Sequence, residues 1–340
     1  MKTSSALSVG VRATIVAALA FRCSDGHAAE QASAETAGPP QRQVNLELVR
    51  TLDCKGAFVC RQEKLLFITG AGKGYCLDLS GDPTAPVVLS DSLPHAWDIA
   101  VKGNHAFVAD NSRAISVYDI SDRKTWRKVG ECKLPASGEN IIVRDDLAYV
   151  AGCQAGLQIL NIRDPSQPVR VGENRLPKQD IDAIALDGNV AYLYDHAAGT
   201  LRLVDVTDPV HSQHLSLFEF GRPFIQGEMD LCRGYAYCVA GEHGVVVADV
   251  RDRKAPRLAS VIDTPGFAGD VIVSGNFAFL AEGAAGVRAM DVRDPTKPVE
   301  AGCFTSENVN AQQMAVLGNL LYVANKPPLG AVILRFQPPR

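Results

Sequence analysis

The sequence predicts an all-β fold of seven four-stranded sheets arranged in a ring, and three observations predict it. One segment recurs along the chain: a small residue, alternating apolar positions, an acidic anchor and a Pro-containing turn. Its copies are GYCLDLSGDPTAP from Gly74, AISVYDISDRKTW from Ala114, GLQILNIRDPSQP from Gly156, TLRLVDVTDPVHS from Thr200, GVVVADVRDRKAP from Gly244 and GVRAMDVRDPTKP from Gly286. A shorter copy, GAVILRF from Gly330, ends the chain. The anchor positions Asp78, Asp119, Asn161, Asp205, Asp249, Asp291 and Arg335 are 41, 42, 44, 44, 42 and 44 residues apart. Each period also holds runs of 4 to 7 β-branched or aromatic residues bounded by Gly, Asn, Asp or Pro, and no run sustains helical spacing. Four such strands in about 42 residues are the signature of a propeller blade.

The strands justify the count. Lettering them A (innermost) to D (outermost), A–B hairpins start near residues 57, 97, 139, 182, 229, 270 and 312. Seven A–B pairs and seven C strands are found, but only six D strands between them. The missing strand is available at the front as VNLELVRTL, Val44 to Leu52, and is expected to pair with GAVILRF. Closure of this kind removes the open edge that a linear array of sheets leaves for aggregation.

The recurring segment resembles the LVIVD-repeat family of exported bacterial β-propellers. The motif is carried by Leu157-Gln158-Ile159-Leu160-Asn161, Leu201-Arg202-Leu203-Val204-Asp205, Val245-Val246-Val247-Ala248-Asp249 and Val287-Arg288-Ala289-Met290-Asp291. Asn161 replaces Asp once, Arg335 departs at the end, and Gly74-Tyr75-Cys76-Leu77-Asp78 is a weak first copy. The resemblance covers nearly everything from residue 44 onward and implies a fold. It carries no catalytic set to transfer. WD-type propellers fit less well, because their Gly-His and Trp-Asp signatures do not recur with the repeat.

The first residues follow different rules. Lys2 and Arg12 precede the apolar run Ala13 to Phe21, and small residues up to Ala28 follow. That order predicts a secretory signal peptide over 1–28, and the run is shorter than the roughly 20 residues a membrane span needs. Residues 29–43 are small, polar and Pro-containing, which predicts a flexible leader. The propeller is assigned to 44–340. Cleavage after Ala28 removes three cationic residues and one acidic one, taking the formal charge from -4 to -6. Neither value suits nucleic acid, and no basic stripe offsets it. Hydrophobic residues at 46% provide ample core material. Eight cysteines remain after cleavage; the even number permits disulfides, but most sit singly inside apolar runs, where Cys is a small buried hydrophobe. No zinc-type Cys spacing occurs.

Polar residues sort by face. If strand A runs from top to bottom, the Asp-Pro turns at Asp164-Pro165, Asp208-Pro209 and Asp294-Pro295 lie on the bottom as tight C–D turns. Gly70-Ala71-Gly72-Lys73-Gly74 is a B–C turn with no helix behind it, so it is not a phosphate loop. On the top, strands A open with Asp98, Asn140, Asp182, Glu228, Asp270 and Gln313, which are expected to ring the mouth of the central channel. The B–C loops add Asp110, Asp195, His196, Glu242, His243, Glu282 and Lys326 farther out. Acidic groups with two histidines are the place where a divalent cation or a polar ligand would be held; the plainer alternative is that they satisfy the first amides of the inner strands. His95, His105, His211 and His214 read as surface or turn residues, and Trp97 as a stacking platform or channel wall.

No nucleophile elbow, HExxH helix or P-loop is present, and the loops are short. The expected function is therefore a monomeric, exported, non-enzymatic binding or scaffolding module. Its top face would engage a protein or glycan of the cell envelope, without cofactor, nucleic acid or transmembrane segment. The alternative is a hydrolase or lyase, metal-assisted or not, working from the acidic ring.

Overall fold

The computed structural model describes residues 43–70, 73–110, 112–221 and 227–337. The expected signal (1–28) and the leader up to residue 42 lie outside the described residues. Among the described residues, 28 strands form seven separate four-stranded antiparallel sheets. Six blades are continuous in sequence, spanning 58–93, 98–133, 140–174, 181–219, 229–262 and 270–304. Each has the strand order A–B–C–D. The seventh takes A, B and C from Ala311–Leu317, Leu320–Asn325 and Val332–Gln337, and D from Asn45–Thr51 at the other end of the chain. Asn45 lies opposite Gln337 and Thr51 opposite Val332, so the expected closure is formed.

Strand B shows why the repeat reads as apolar runs rather than alternation. Ala148, Tyr149, Val150 and Ala151 are all buried, because each blade packs both faces against neighbours. The core is accordingly a ring of interfaces. Phe107, Ile115 and Val117 of blade 2 pack with Ile141, Val150 and Leu160 of blade 3. The same arrangement joins Leu66, Ile68 and Leu77 of blade 1 to Tyr322 and Ile333 of blade 7, which leaves the ring no exposed apolar end.

The outer strand carries a device that the repeat encodes twice. In every blade the C–D register slips, once in six of them, for example between Val117 and Tyr118 or between Ala289 and Met290, and twice in blade 1. The same slip occurs between Leu48 and Arg50 in the closing strand, which marks it as a genuine D strand. Beside the slip, strand D meets a backbone carbonyl of the next blade. Ser216 and Ser260 donate hydrogen bonds to Arg253 O and Pro295 O at 2.8 and 2.7 Å. Gly130, Gly172 and Gly302 lie so close to Pro165, Pro209 and Val44 that a Cβ would sit 2.3, 1.8 and 2.2 Å from the carbonyl oxygen. The Asp-Pro turns thus clip blade to blade. Gly172→Ala is expected to lower stability by about 1–3 kcal/mol, the range for overpacking against unyielding atoms. Gly81→Ala, where a Cβ meets nothing within 4 Å, is the neutral control. Paired thermal melts decide this, and equal midpoints would show that the close approach is not maintained.

The C–D turns are held by side-chain oxygens of Asp or Asn. Asp119 Oδ1 accepts from Ser121 N at 2.9 Å and Asp122 Oδ1 from Lys124 N at 3.0 Å; Asn161 and Asp164 repeat the pair with Arg163 N and Ser166 N. This is the Asx geometry expected of the anchor and the turn. The eight described cysteines are free thiols. No helix of the described residues is long and apolar enough to cross a membrane.

Candidate functional site at the channel mouth

The six ring positions expected from strand direction, Asp98, Asn140, Asp182, Glu228, Asp270 and Gln313, line one cavity of ≈ 120 Å³ together with Phe58, Trp97 and Glu139. Strand A places them there because it is the innermost strand of each blade and these residues stand at or beside its top end. Four of the six reach across to the neighbouring blade. Asp98 Oδ2 accepts from Ile141 N at 3.0 Å and from Asn140 Nδ2 at 2.7 Å. Asn140 Oδ1 accepts from Ile184 N at 3.1 Å, Asp270 Oδ2 from Met314 N at 2.7 Å, and Gln313 Oε1 from Val59 N at 3.0 Å. The second carboxylate oxygens of Asp98 and Asp270 cap their own strands, Asp98 Oδ1 accepting from Ile99 N and Asp270 Oδ1 from Val271 N. One level lower, Asp230 repeats the device on Val273 N at 2.7 Å.

Asp270 is buried and Asp98 half-buried, and removal from water raises Asp98 to about 6 and Asp270 to about 7 from 3.8, against the opposing effect of the amide bonds. Glu228, which accepts from Gln313 Nε2 at 2.5 Å, is raised well above its ordinary value by burial and then by the charges of Asp270 and Asp98. Burial therefore draws protons onto Glu228 and Asp270 toward neutral pH, while Asp98 is still largely ionised there. Phe58 and Trp97 stack beside it with centroids 5.1 Å apart and planes 29° from parallel.

The outer positions divide. Asp195 is buried and accepts from Asp180 N and Ala198 N, both at 2.9 Å. Glu282 is 1% exposed and paired with Arg288 at 2.8 Å. Both hold loops and do not project from the face. Asp110 is half-buried and caps Ser112 N at 2.9 Å. Glu242, His243 and Lys326 are exposed. His196 turns inward, against Asp182.

Phe58, Glu139, Asp230 and Cys153 were not singled out by the sequence. For Cys153 a signal existed: it fills the place of Gly241 and Gly283, the three residues making equivalent bridges to Ile181, Ala268 and Ala311. All three have positive φ, 46°, 57° and 56°, a conformation that favours glycine.

Comparison with known proteins follows the blades. The LVIVD repeat model matches residues 95–130, 137–174 and 265–306, which lie on blades 2, 3 and 6. Among solved structures, the chain is similar to the β-propeller domain of Cps50 (Swd1) from Myceliophteria thermophila, with a TM-score of 0.68 and 12% identity over 86% of this chain and 99% of that one. It is similar to the WD40 domain of coronin from Toxoplasma gondii, at 0.64 and 9% over 89% and 88%. The computationally designed protein Ika8 matches at 0.61 and 11% over 86% and 100%. At these identities the likeness is one of fold. No curated protein matches the chain.

Proposed function

We propose, from the premise that the chain is a seven-bladed β-propeller with LVIVD repeats, that it is an exported binding or scaffolding module whose top face engages a protein or glycan of the cell envelope. The observation that carries this reading is the occupation of the ring. Asp98, Asn140, Asp270 and Gln313 spend their side-chain oxygens on backbone amides of their own and the next blade. Groups so engaged hold the disc together and are poorly placed for acid–base work on a substrate. The cavity of ≈ 120 Å³ is also small beside the roughly 300–1,000 Å³ of ordinary small-molecule sites. Recognition then falls to the rigid surface around it, where the Phe58–Trp97 stack provides an aromatic anchor and Glu242 and His243 an exposed polar rim.

A photoreactive amino acid at position 242, on the top, should crosslink to a specific envelope component in intact cells. The same group at position 63, in the A–B turn on the opposite face, should not. Trp97→Ala is expected to reduce the crosslinked yield at least tenfold while the protein stays folded. Equal labelling from both faces, or none from position 242, would remove the top face as the partner surface.

A further inference from the structure

Between blades 3 and 4, on the wall of the mouth, the metal-binding atoms of Glu139, Cys153 and Asp182 converge, and His196 lies against Asp182. Glu139 directly precedes strand A of blade 3, Asn140–Arg144. Cys153 follows strand B of that blade, Leu147–Ala151. Its backbone is fixed by reciprocal hydrogen bonds with Ile181, N to O at 3.0 Å and O to N at 3.2 Å. Asp182 sits in a register shift between Ile181 and Ala183. That bulge turns its carboxylate off the course taken by the other ring residues, and Asp182 makes none of their inter-blade amide bonds. His196 follows strand B of blade 4, Val190–Asp195.

One donor atom from each of Glu139, Cys153 and Asp182 lies within 4.8 Å of the others, and Cys153 Sγ donates to Glu139 Oε1 at 3.2 Å. His196 Nδ1 is set against Asp182 Oδ2. Both of these atoms are buried and neither takes part in a hydrogen bond. The Asp182 side chain is only 8% exposed. The two atoms lie against each other without forming a hydrogen bond, and a cation would take a lone pair from each.

We infer that Glu139, Cys153, Asp182 and His196 form a site for a divalent zinc-class cation. One thiolate, one imidazole and two carboxylates are a borderline-soft donor set that suits zinc, and the absence of a rigid oxygen cage speaks against calcium or magnesium. Zinc–ligand bonds of about 2.0–2.3 Å require donor atoms roughly 3–4 Å apart, a spacing that falls inside the 4.8 Å envelope of the Glu139, Cys153 and Asp182 donors. Binding displaces the thiol proton that Cys153 shares with Glu139, and that proton leaves to solvent. Glu139 and Asp182 also line the cavity, so the ion would present one face to whatever enters the mouth. The inference goes beyond the partner-binding reading and does not depend on it.

The test uses the full chain, reduced, freed of metal with a chelator, and titrated with Co²⁺ as a spectroscopic stand-in followed by Zn²⁺ competition. Wild type should take up one equivalent and develop a thiolate-to-cobalt charge-transfer band that Zn²⁺ abolishes. Cys153→Gly should lose the band. Its fold is safe because glycine occupies the equivalent position in blades 5 and 6, and its midpoint in chelator should be no lower than wild type. His196→Gln should weaken Co²⁺ binding at least tenfold. Glu242→Gln/His243→Gln and Asp270→Asn should bind as wild type, which separates this site from surface histidines and from the acidic ring. No band in wild type, or a band that survives in Cys153→Gly, would overturn the assignment. If Cys153→Gly proves less stable in chelator, Glu139→Gln gives the independent reading, and unaltered affinity and spectrum there would also overturn it.

Discussion

A chain lacking residues 1–52 is expected to lose cooperative unfolding and to aggregate, although every residue of six blades is retained. The strand Asn45–Thr51 supplies the whole outer edge of blade 7. Val44, Leu46 and Leu52 are buried to 4%, 7% and 8% exposure, and Val44 N donates to Ala301 O of blade 6 at 2.7 Å. Burial of three such side chains is worth roughly 5–8 kcal/mol, against a total stability of about 5–15 kcal/mol for a typical domain. Removing the strand also exposes the edge of Val332–Gln337, with its unpaired amides and the apolar Val332, Leu334 and Phe336. Single substitutions give a graded version. Leu46→Ala should cost about 2–5 kcal/mol, and Leu48→Ala, at 45% exposed, close to nothing. Thermal melts followed by circular dichroism distinguish the cases. A truncated chain melting cooperatively at the wild-type midpoint would mean that the ring is not closed by this strand.

That prediction was readable from the sequence because the repeat register counts strands without regard to where the chain starts. Seven C strands and six D strands leave one place, and Val44 to Leu52 fills it. The ring at the mouth was readable for a similar reason: strand direction fixes which end of each blade a polar residue occupies. What the ring does was only half readable. Capping of inner-strand amides was foreseeable for Asp and Asn, but the amides that Asp98, Asn140, Asp270 and Gln313 reach belong to the next blade, some 40 residues away or, for Gln313, across the chain ends. Local pattern does not encode that distance.

The outer positions show the limit more clearly. Asp195 and Glu282 look like exposed loop acids, yet each is buried by partners outside its own turn, Asp180 N and Arg288 respectively. The position of Arg288 is filled by Ser116, Gln158 and Arg202 in other blades, so nothing in the repeat announces an ion pair there. Cys153 is the opposite case. Its replacement of a glycine is visible in the aligned copies, but the residues it meets come from a preceding loop and from a bulge in the next blade, which only the folded ring brings together.

Stability is expected to be greatest on the acid side of neutrality and to fall as pH rises toward 8. Asp98 at about 6 and Asp270 at about 7 hold protons in the folded chain that an unfolded carboxyl of 3.8 releases much earlier. Between these values the folded state binds more protons than the unfolded one. The stabilisation is therefore complete below pH ~4 and is lost as pH climbs through 6 to 7. For Asp270, 8% exposed, a displacement of about three pH units corresponds to as much as ~4 kcal/mol. Glu228, raised in the same direction by burial and its acidic neighbours, adds to this limb. The bottom face works with the other sign. Asp249 is held well below its ordinary range, first by its hydrogen bonds with Arg251, so its contribution is present above pH ~4 and lost under stronger acid. The two limbs place the maximum near pH 5. Asp270→Asn removes the titrating group while keeping its shape, and one amide oxygen can still accept from Val271 N or Met314 N. The variant should be less stable than wild type at pH 5, close to it at pH 8, and flatter between. Melting points taken at half-unit steps from pH 4 to 8 are sufficient. A wild-type midpoint that rises toward pH 8, or a variant with an unchanged slope, would mean that the mouth is hydrated enough to keep Asp270 ionised, and the clasp between blades 6 and 7 would then be made by a carboxylate rather than a carboxylic acid.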